Sequence, residues 1–109
     1  MTHGEYVSGV RSQIVEIAHR LLNEKLSFLE GARQICSLRK DAEVPERDGD
    51  FDAFTVIESE TDALPIGSVR QHWSEMALKD LEPEIEKAER WAREIGTGAC
   101  HALIHRFRV

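Results

Sequence analysis

The sequence is poor in cysteine and in basic charge, and it has no long hydrophobic run. Two cysteines in 109 residues are too few for a disulfide-stapled scaffold. No stretch approaches the roughly 20 consecutive apolar residues that span a bilayer. The first residues lack the basic and apolar regions of a signal peptide. We therefore expect a reduced, cytoplasmic protein that does not have a membrane as a partner.

Basic side chains are outnumbered by acidic ones, 14 to 20, so that the formal net charge is -6. Nucleic acids and anionic membranes bind basic surfaces, and neither is expected as a partner. Hydrophobic residues make up 41% and charged residues 31% of the chain. This composition is typical of one folded domain and not of a disordered chain, so residues 1–109 are predicted to form a single domain.

Apolar residues recur at spacings of three and four near the start of the chain, which is the period of an amphipathic α-helix. This pattern predicts a first helix from about residue 5 to residue 23. Ser27 followed by Glu30 is a capping-box pattern and predicts the start of a second helix. Gly31 interrupts that helix at a cost of about 1 kcal/mol relative to alanine. Close approach of the first helix would explain this glycine.

The middle of the chain is predicted with two alternatives. Residues 40–49 read as a loop, after which Asp50 is the predicted N-cap of a short third helix. A strand at residues 54–57 is the alternative, because their side chains favour strands. Helix is preferred because the sequence offers no second convincing strand to pair with it. A turn at residues 64–67 and one helical turn capped by Ser68 complete this region.

Ser74 is the predicted N-cap of a long helix whose apolar period continues to Ile95. Pro83 lies either in the first turn of a helix that begins just before it or inside a longer helix that it kinks. The run Gly96-Thr97-Gly98 is expected to end the long helix, and residues 99–107 are expected to form a last short one. The sequence thus predicts an all-α fold, a small single-domain helical bundle of four main helices plus short helical turns.

The negative charge is concentrated in residues 41–62, which we call the acidic segment. It holds nine acidic side chains and one arginine, whereas residues 1–40 have a net charge of +2 and residues 63–109 a net charge of zero. Two interpretations remain open: a solvated loop with carboxylates at helix ends, or a recognition surface for a basic partner. The predicted partner-binding residues are Asp48, Asp50, Asp52, Glu58, Glu60, Asp62, Arg70 and Trp73.

A divalent-metal site is a further interpretation of the carboxylates. Glu58, Glu60 and Asp62 are candidate ligands, of which Glu58 and Asp62, four residues apart, share a helix face; Glu82, Glu86 and Glu89 form a second acidic stripe. Carboxylate oxygens are suitable ligands for Mg²⁺ or Ca²⁺. The arrangement is loosely similar to that of all-α nucleotide pyrophosphohydrolases, but their doubled-Glu and Glu-x-x-Asp spacings are not present.

Other catalytic patterns are weakly represented. His101 and His105 have the spacing of paired zinc ligands, although two histidines on a partly exposed terminal helix are the simpler interpretation. No spacing fixes a histidine partner for Cys36 or Cys100, and neither a Gly-x-Ser-x-Gly motif nor a phosphate-binding glycine loop is present. The sequence therefore assigns no catalytic residue, no metal ligand and no cofactor.

The run Ser59–Trp73 reads Ser-Glu-Thr-Asp-x-Leu-Pro-x-Gly-x-Val-Arg-x-x-Trp and resembles the signature of a family of small bacterial cytosolic proteins with no established activity. Residues 29–33 and 89–92 are similar to the flanking helices of that family. The resemblance covers most of the chain. It implies a bacterial, cytosolic origin and says nothing about chemistry.

The same run also has a physical interpretation as a structural clasp. Asp62 is expected to cap the following turn through a hydrogen bond to the backbone. Arg70 is expected to pair with Glu60 or Asp62 across that turn. Trp73 would then close the turn over the core.

These observations favour a non-enzymatic binding protein, an inhibitor or immunity-type protein that engages a basic partner protein such as a toxin or nuclease through the acidic segment. A metal-dependent hydrolase with helix-borne carboxylates is the first alternative. A structural or regulatory helical homodimer is the second, because two helices carry heptad-like apolar stripes.

Overall fold

Four α-helices and one 3₁₀ helix form the protein in a computed structural model, which describes residues 1–108. The α-helices are α1 (His3–Leu22), α2 (Phe28–Leu38), α3 (Gly49–Thr61) and α4 (Glu75–Arg106), and the 3₁₀ helix (Gly67–His72) lies between α3 and α4. Residues 1–108 contain no strand. The predicted all-α bundle is confirmed, and residues 54–57 lie inside α3.

Side-chain caps mark the start of each α-helix. Thr2, Ser27 and Ser74 each accept a hydrogen bond from the backbone N–H three residues further on, at 3.1, 3.3 and 3.1 Å. The predicted cap of α3 is wrong by two residues, because the carboxylate of Asp48 accepts from the backbone N–H of Asp50 at 3.1 Å. Either aspartate suits an N-cap, and the residue types alone do not distinguish them.

The run Gly96-Thr97-Gly98 does not end α4, contrary to the expectation from sequence. The helix continues for 32 residues, so residues 99–106 are its last turns. Gly96 is buried, and a Cβ added there would lie 2.7 Å from Cζ of the Phe28 ring. This glycine therefore permits close approach of α2 to α4 and is not a helix terminator.

The core lies where α1 and α4 pack together and α2 packs against α3, with α4 also contacting α2 and α3. The rings of Phe28 and Phe54 stack with their centroids 6.5 Å apart. A Cβ added at Gly31 would lie 2.8 Å from Cγ of Leu21, so α1 does approach α2 closely at this glycine. The largest fully buried side chains include Ile14, Leu21, Phe28, Leu29, Ile35, Phe51, Phe54, Ile57 and Leu103.

Glu89 of α4 accepts hydrogen bonds from the start of α2. Its carboxylate accepts hydrogen bonds from the backbone N–H groups of Phe28 and Leu29, at 2.9 and 3.3 Å, and from the Ser27 hydroxyl. N–H groups in the first turn of a helix have no partner within the helix. A carboxylate satisfies them and also suits the positive end of the helix dipole.

The N-terminal half of α4 is less buried than its C-terminal half. The molecule measures 48 × 28 × 25 Å, and a helix of 32 residues is about 48 Å long, so α4 determines the long dimension. Its buried residues, Ala92, Gly96, Cys100 and Leu103, all lie in its C-terminal half. Nothing from residue 67 to residue 91 is buried. We call residues 67–88 the arm.

The arm contains Pro83, which lies inside α4 at its ninth position and not in its first turn. Proline has no N–H, so the carbonyl four residues earlier lacks its usual helical partner.

Residues 1–108 include no helix with the length and apolar character required for a membrane span.

Two alanine substitutions two residues apart test the packing role of Gly96. Gly96→Ala should lower the free energy of unfolding by about 1–3 kcal/mol, because the added methyl overlaps the Phe28 ring in a filled core. Gly98→Ala should raise it by about 0.5–1 kcal/mol, because no atom lies within 4 Å of the added Cβ and alanine favours helix. Urea unfolding of both variants measures the difference, and equal effects at the two positions would contradict this packing.

Candidate partner-binding surface

Arg106 forms ion pairs with two carboxylates of the acidic segment. The side chain of Asp48 is 8% exposed, and both of its oxygens accept from Nη1 of Arg106, at 2.8 and 2.7 Å. Asp50 accepts from the same nitrogen at 3.2 Å. The hydrogen bond to Asp48 raises the pKa of the Arg106 guanidinium above its ordinary value, which reflects how well the carboxylate stabilises the cation.

The assignment of Asp48 to partner binding therefore needs correction, because its buried carboxylate joins the start of α3 to the end of α4. Asp50, which is half-buried, also pairs with Arg106. The guanidinium of Arg106 also lies 5.2 Å from the centroid of the Phe107 ring, which helps to hold it in place.

The remaining carboxylates of α3 face solvent. Asp52, Glu60 and Asp62 are exposed and Glu58 is half-buried. The ion pairs found within residues 1–108 involve none of these four side chains. They are therefore the part of the acidic segment that a partner can reach.

Two of these carboxylates, Asp52 and Glu60, lie on the outer side of α3, on either side of Val56. Positions 52, 56 and 60 are successive four-residue steps, which places them in one row along a helix. The opposite side of α3 is buried through Phe51, Phe54 and Ile57. Val56 is 45% exposed between two acidic neighbours in the row. Glu58 and Asp62 form a second row about 140° round the helix, beside Arg33 of α2. We call the two rows together the α3 acidic face; it consists of Asp52, Val56, Glu58, Glu60 and Asp62.

Arg33 of α2 holds the end of α3. Its Nη2 donates to the backbone carbonyls of Thr61 and Leu64, the latter at 3.2 Å. These bonds satisfy acceptors that a helix C-terminus leaves free. The expected cap from Asp62 does not form in residues 1–108, and that carboxylate lines a shallow groove with Arg33, Glu58 and Ser59. No pattern in the sequence predicts this role for Arg33.

Arg70 and Trp73 differ from their predicted roles. Arg70 donates to the carbonyl of Pro65 at 3.5 Å and makes no ion pair with Glu60 or Asp62 among the described residues. Trp73 is 40% exposed and does not cover the core. The tryptophan that packs against the core is Trp91. Both residues lie in the arm. Arg70 reaches the turn at Pro65 but pairs with neither carboxylate, and Trp73 does not close the turn over the core.

The carboxylates of the proposed metal site do not converge. Glu58 and Asp62 line one groove, whereas Glu82 and Glu86 line another with Arg70. Within residues 1–108, no group of three or more His, Cys, Asp and Glu side chains is placed to hold a metal ion. His101 and His105 are both exposed on the outer side of α4.

The two cysteines are free thiols. Burial raises the pKa of Cys36 to about 11, with the charge of Glu58 adding to the effect, and raises that of Cys100 to about 12. Since the thiolate is the reactive form, both side chains are poor nucleophiles at neutral pH and act as small apolar groups.

A groove connects the α3 acidic face with the helix that carries the arm. It is lined by Glu60 and Leu64 on one side and by Glu84, Ala88 and Trp91 of α4 on the other. This groove depends on the packing of the end of α3 against α4, which the sequence pattern does not reveal.

Comparison of the chain with protein-family models, with curated proteins and with solved structures finds no match. The function is therefore inferred from the surface itself. Its distinguishing features are the unpaired carboxylates of α3 and the exposed apolar side chains of the arm.

The structural role of Asp48 is tested through its partner. Arg106→Gln should lower the free energy of unfolding by about 1–3 kcal/mol, because the buried carboxylate loses its charged hydrogen-bond donor. Asp52→Asn, which alters an exposed carboxylate of α3, should change the free energy of unfolding by less than about 0.5 kcal/mol. Thermal or urea unfolding measures both, and an unaffected Arg106→Gln variant would show that the ion pair does not stabilise the fold.

Proposed function

We propose that this chain is a non-enzymatic binding protein of the inhibitor or immunity type, which holds a basic partner protein, such as a toxin or nuclease, in the cytoplasm. The α3 acidic face is the surface that we assign to this contact. One observation carries the proposal: four carboxylates of α3 reach solvent and form no ion pair within residues 1–108, namely those of Asp52, Glu58, Glu60 and Asp62. Arg106, the arginine that does bind carboxylates of the acidic segment, is paired with Asp48 and Asp50 instead.

Electrostatics explains why such a face favours a basic partner. Carboxylates on one helix repel one another when they are three or four residues apart, and lysine or arginine from a partner relieves that repulsion. Complementary charge also accelerates encounter and disfavours acidic competitors. Val56 adds a small apolar contact between Asp52 and Glu60, and apolar contacts of this kind exclude water from a protein interface.

The chemistry of the remaining groups supports binding over catalysis. Burial keeps both thiols protonated, and the carboxylates required for a metal-dependent hydrolase line separate grooves. Calorimetric titration with Mg²⁺ and Mn²⁺ distinguishes the two functions. Binding heat at millimolar metal that disappears in Glu58→Gln would favour the hydrolase.

A triple substitution tests the α3 acidic face. The partner is captured from cells at low salt, identified and titrated against the parent protein and the variant E58Q/E60Q/D62N. The variant should bind about tenfold or more weakly at low ionic strength, and its affinity should depend less on salt, because fewer charges meet across the interface. Calorimetry at several salt concentrations measures both quantities.

The matched control is E16Q/E24Q/E94Q, which removes the same charge from exposed positions outside α3. It should bind like the parent protein. Equal weakening by both triple variants would mean that only net charge matters. Unchanged affinity of E58Q/E60Q/D62N, or a captured partner with an acidic binding surface, would overturn the proposal.

A further inference from the structure

A cavity with an excess of positive charge lies where α1 begins and α4 ends. Its volume is about 410 Å³, which is within the range of sites for small molecules. Three arginines line it, Arg11, Arg106 and Arg108, against one carboxylate, that of Glu43. The proposed function assigns none of these four side chains to partner binding, so the cavity is a separate feature of the molecule.

Some of the charge in this cavity is already paired inside the fold. The carboxylate of Glu43 is hydrogen-bonded to Nε2 of His3 at 2.5 Å, and Arg106 is paired with carboxylates at the start of α3. The ion pairs within residues 1–108 include neither Arg11 nor Arg108. These two guanidiniums are therefore the cations that remain for a ligand.

Arg11 is held through one nitrogen and through the face of its guanidinium. Nε donates to the backbone carbonyl of Ala42 at 3.0 Å, and the guanidinium carbon lies 5.3 Å from the centroid of the Phe107 ring. Within residues 1–108, the bond from Nε is the hydrogen bond that this side chain makes, so Nη1 and Nη2 are left to donate to another acceptor. A guanidinium that is already oriented loses little conformational entropy when it binds an oxyanion.

The start of α1 supports the same site. Thr2 accepts from the backbone N–H groups of Glu5 and Tyr6, and Gly4, which precedes them, lines the cavity. N–H groups in the first turn have no partner within the helix and lie at the positive end of its dipole, which favours an anion. The arginines carry the argument, and the helix start adds to it.

We propose that this cavity binds the oxyanion group of a small molecule, either a phosphate or a carboxylate, through the guanidiniums of Arg11 and Arg108. Arginine matches the geometry of both groups and forms charge-assisted hydrogen bonds with them. The ligand is small because a chain with a net charge of -6 repels nucleic acids and anionic membranes. The site does not depend on the proposed function, since it lies outside the α3 acidic face and takes a ligand of the opposite charge.

Two small anions test the site. Inorganic phosphate and acetate are titrated separately into the full-length protein at low chloride concentration while ¹⁵N–¹H NMR spectra are recorded. Saturable shifts should concentrate in residues 3–11 and 106–108 for at least one of the two anions, and the one that binds more tightly identifies the ligand as a phosphate or as a carboxylate. R11Q/R108Q should weaken that binding about tenfold or more, because charged hydrogen-bond donors are lost.

The matched control is R20Q/R90Q, which removes the same charge from exposed positions outside the cavity and should bind like the parent protein. R108Q alone alters an exposed side chain, so the fold is retained and binding should still weaken several-fold.

Three results would overturn this inference. Equal weakening by R11Q/R108Q and R20Q/R90Q would show attraction by net charge alone. Unchanged binding in both R108Q and R11Q/R108Q would place the anion elsewhere. The absence of saturable shifts with either anion at millimolar concentration would show that the cavity holds no oxyanion.

Discussion

The rest of the structure depends on the hydrogen bonds of the Glu89 carboxylate, which join α4 to the start of α2. This carboxylate accepts from the Ser27 hydroxyl and from the backbone N–H groups of Phe28 and Leu29, and it lies directly after the arm in the sequence. After Glu89, α4 buries small residues such as Ala92 and Gly96 against its neighbours. Before Glu89, no residue of the helix is fully buried, although Ile85 and Ala88 still pack against the edge of the core. The cap therefore fixes α2 near the boundary between the half of α4 that carries buried residues and the arm.

Internal ion pairs divide the acidic segment into carboxylates that are paired and carboxylates that are not. Arg106 binds the carboxylates at the start of α3 and leaves those along its outer side unpaired. Those unpaired carboxylates are the ones that the proposed function assigns to attraction of a basic partner. The groove lined by Glu60 and Trp91 lies between the end of α3 and α4.

Local signals in the sequence predicted much of the fold. The apolar period gave α1, the capping residues Ser27 and Ser74 gave two helix starts, and Gly31 correctly indicated close helix approach. Contacts between distant residues were the ones missed. Gly96 resembles a terminator until Phe28 is seen beside it, and Asp48 resembles a surface carboxylate because Arg106 is 58 positions away. The lower burial of the arm was missed because a fully buried and a partly buried apolar stripe have the same sequence pattern.

Native-state hydrogen exchange along α4 tests this division most directly, since local stability follows the burial of each segment. Amides of residues 92–106 should exchange only on global unfolding. Those of residues 79–88 should exchange about 100-fold faster or more, with the change near Glu89, and Glu89→Ala should move the boundary toward the C-terminus. Uniform protection from one end of α4 to the other would contradict the account, because the arm would then be as firmly packed as the bundle.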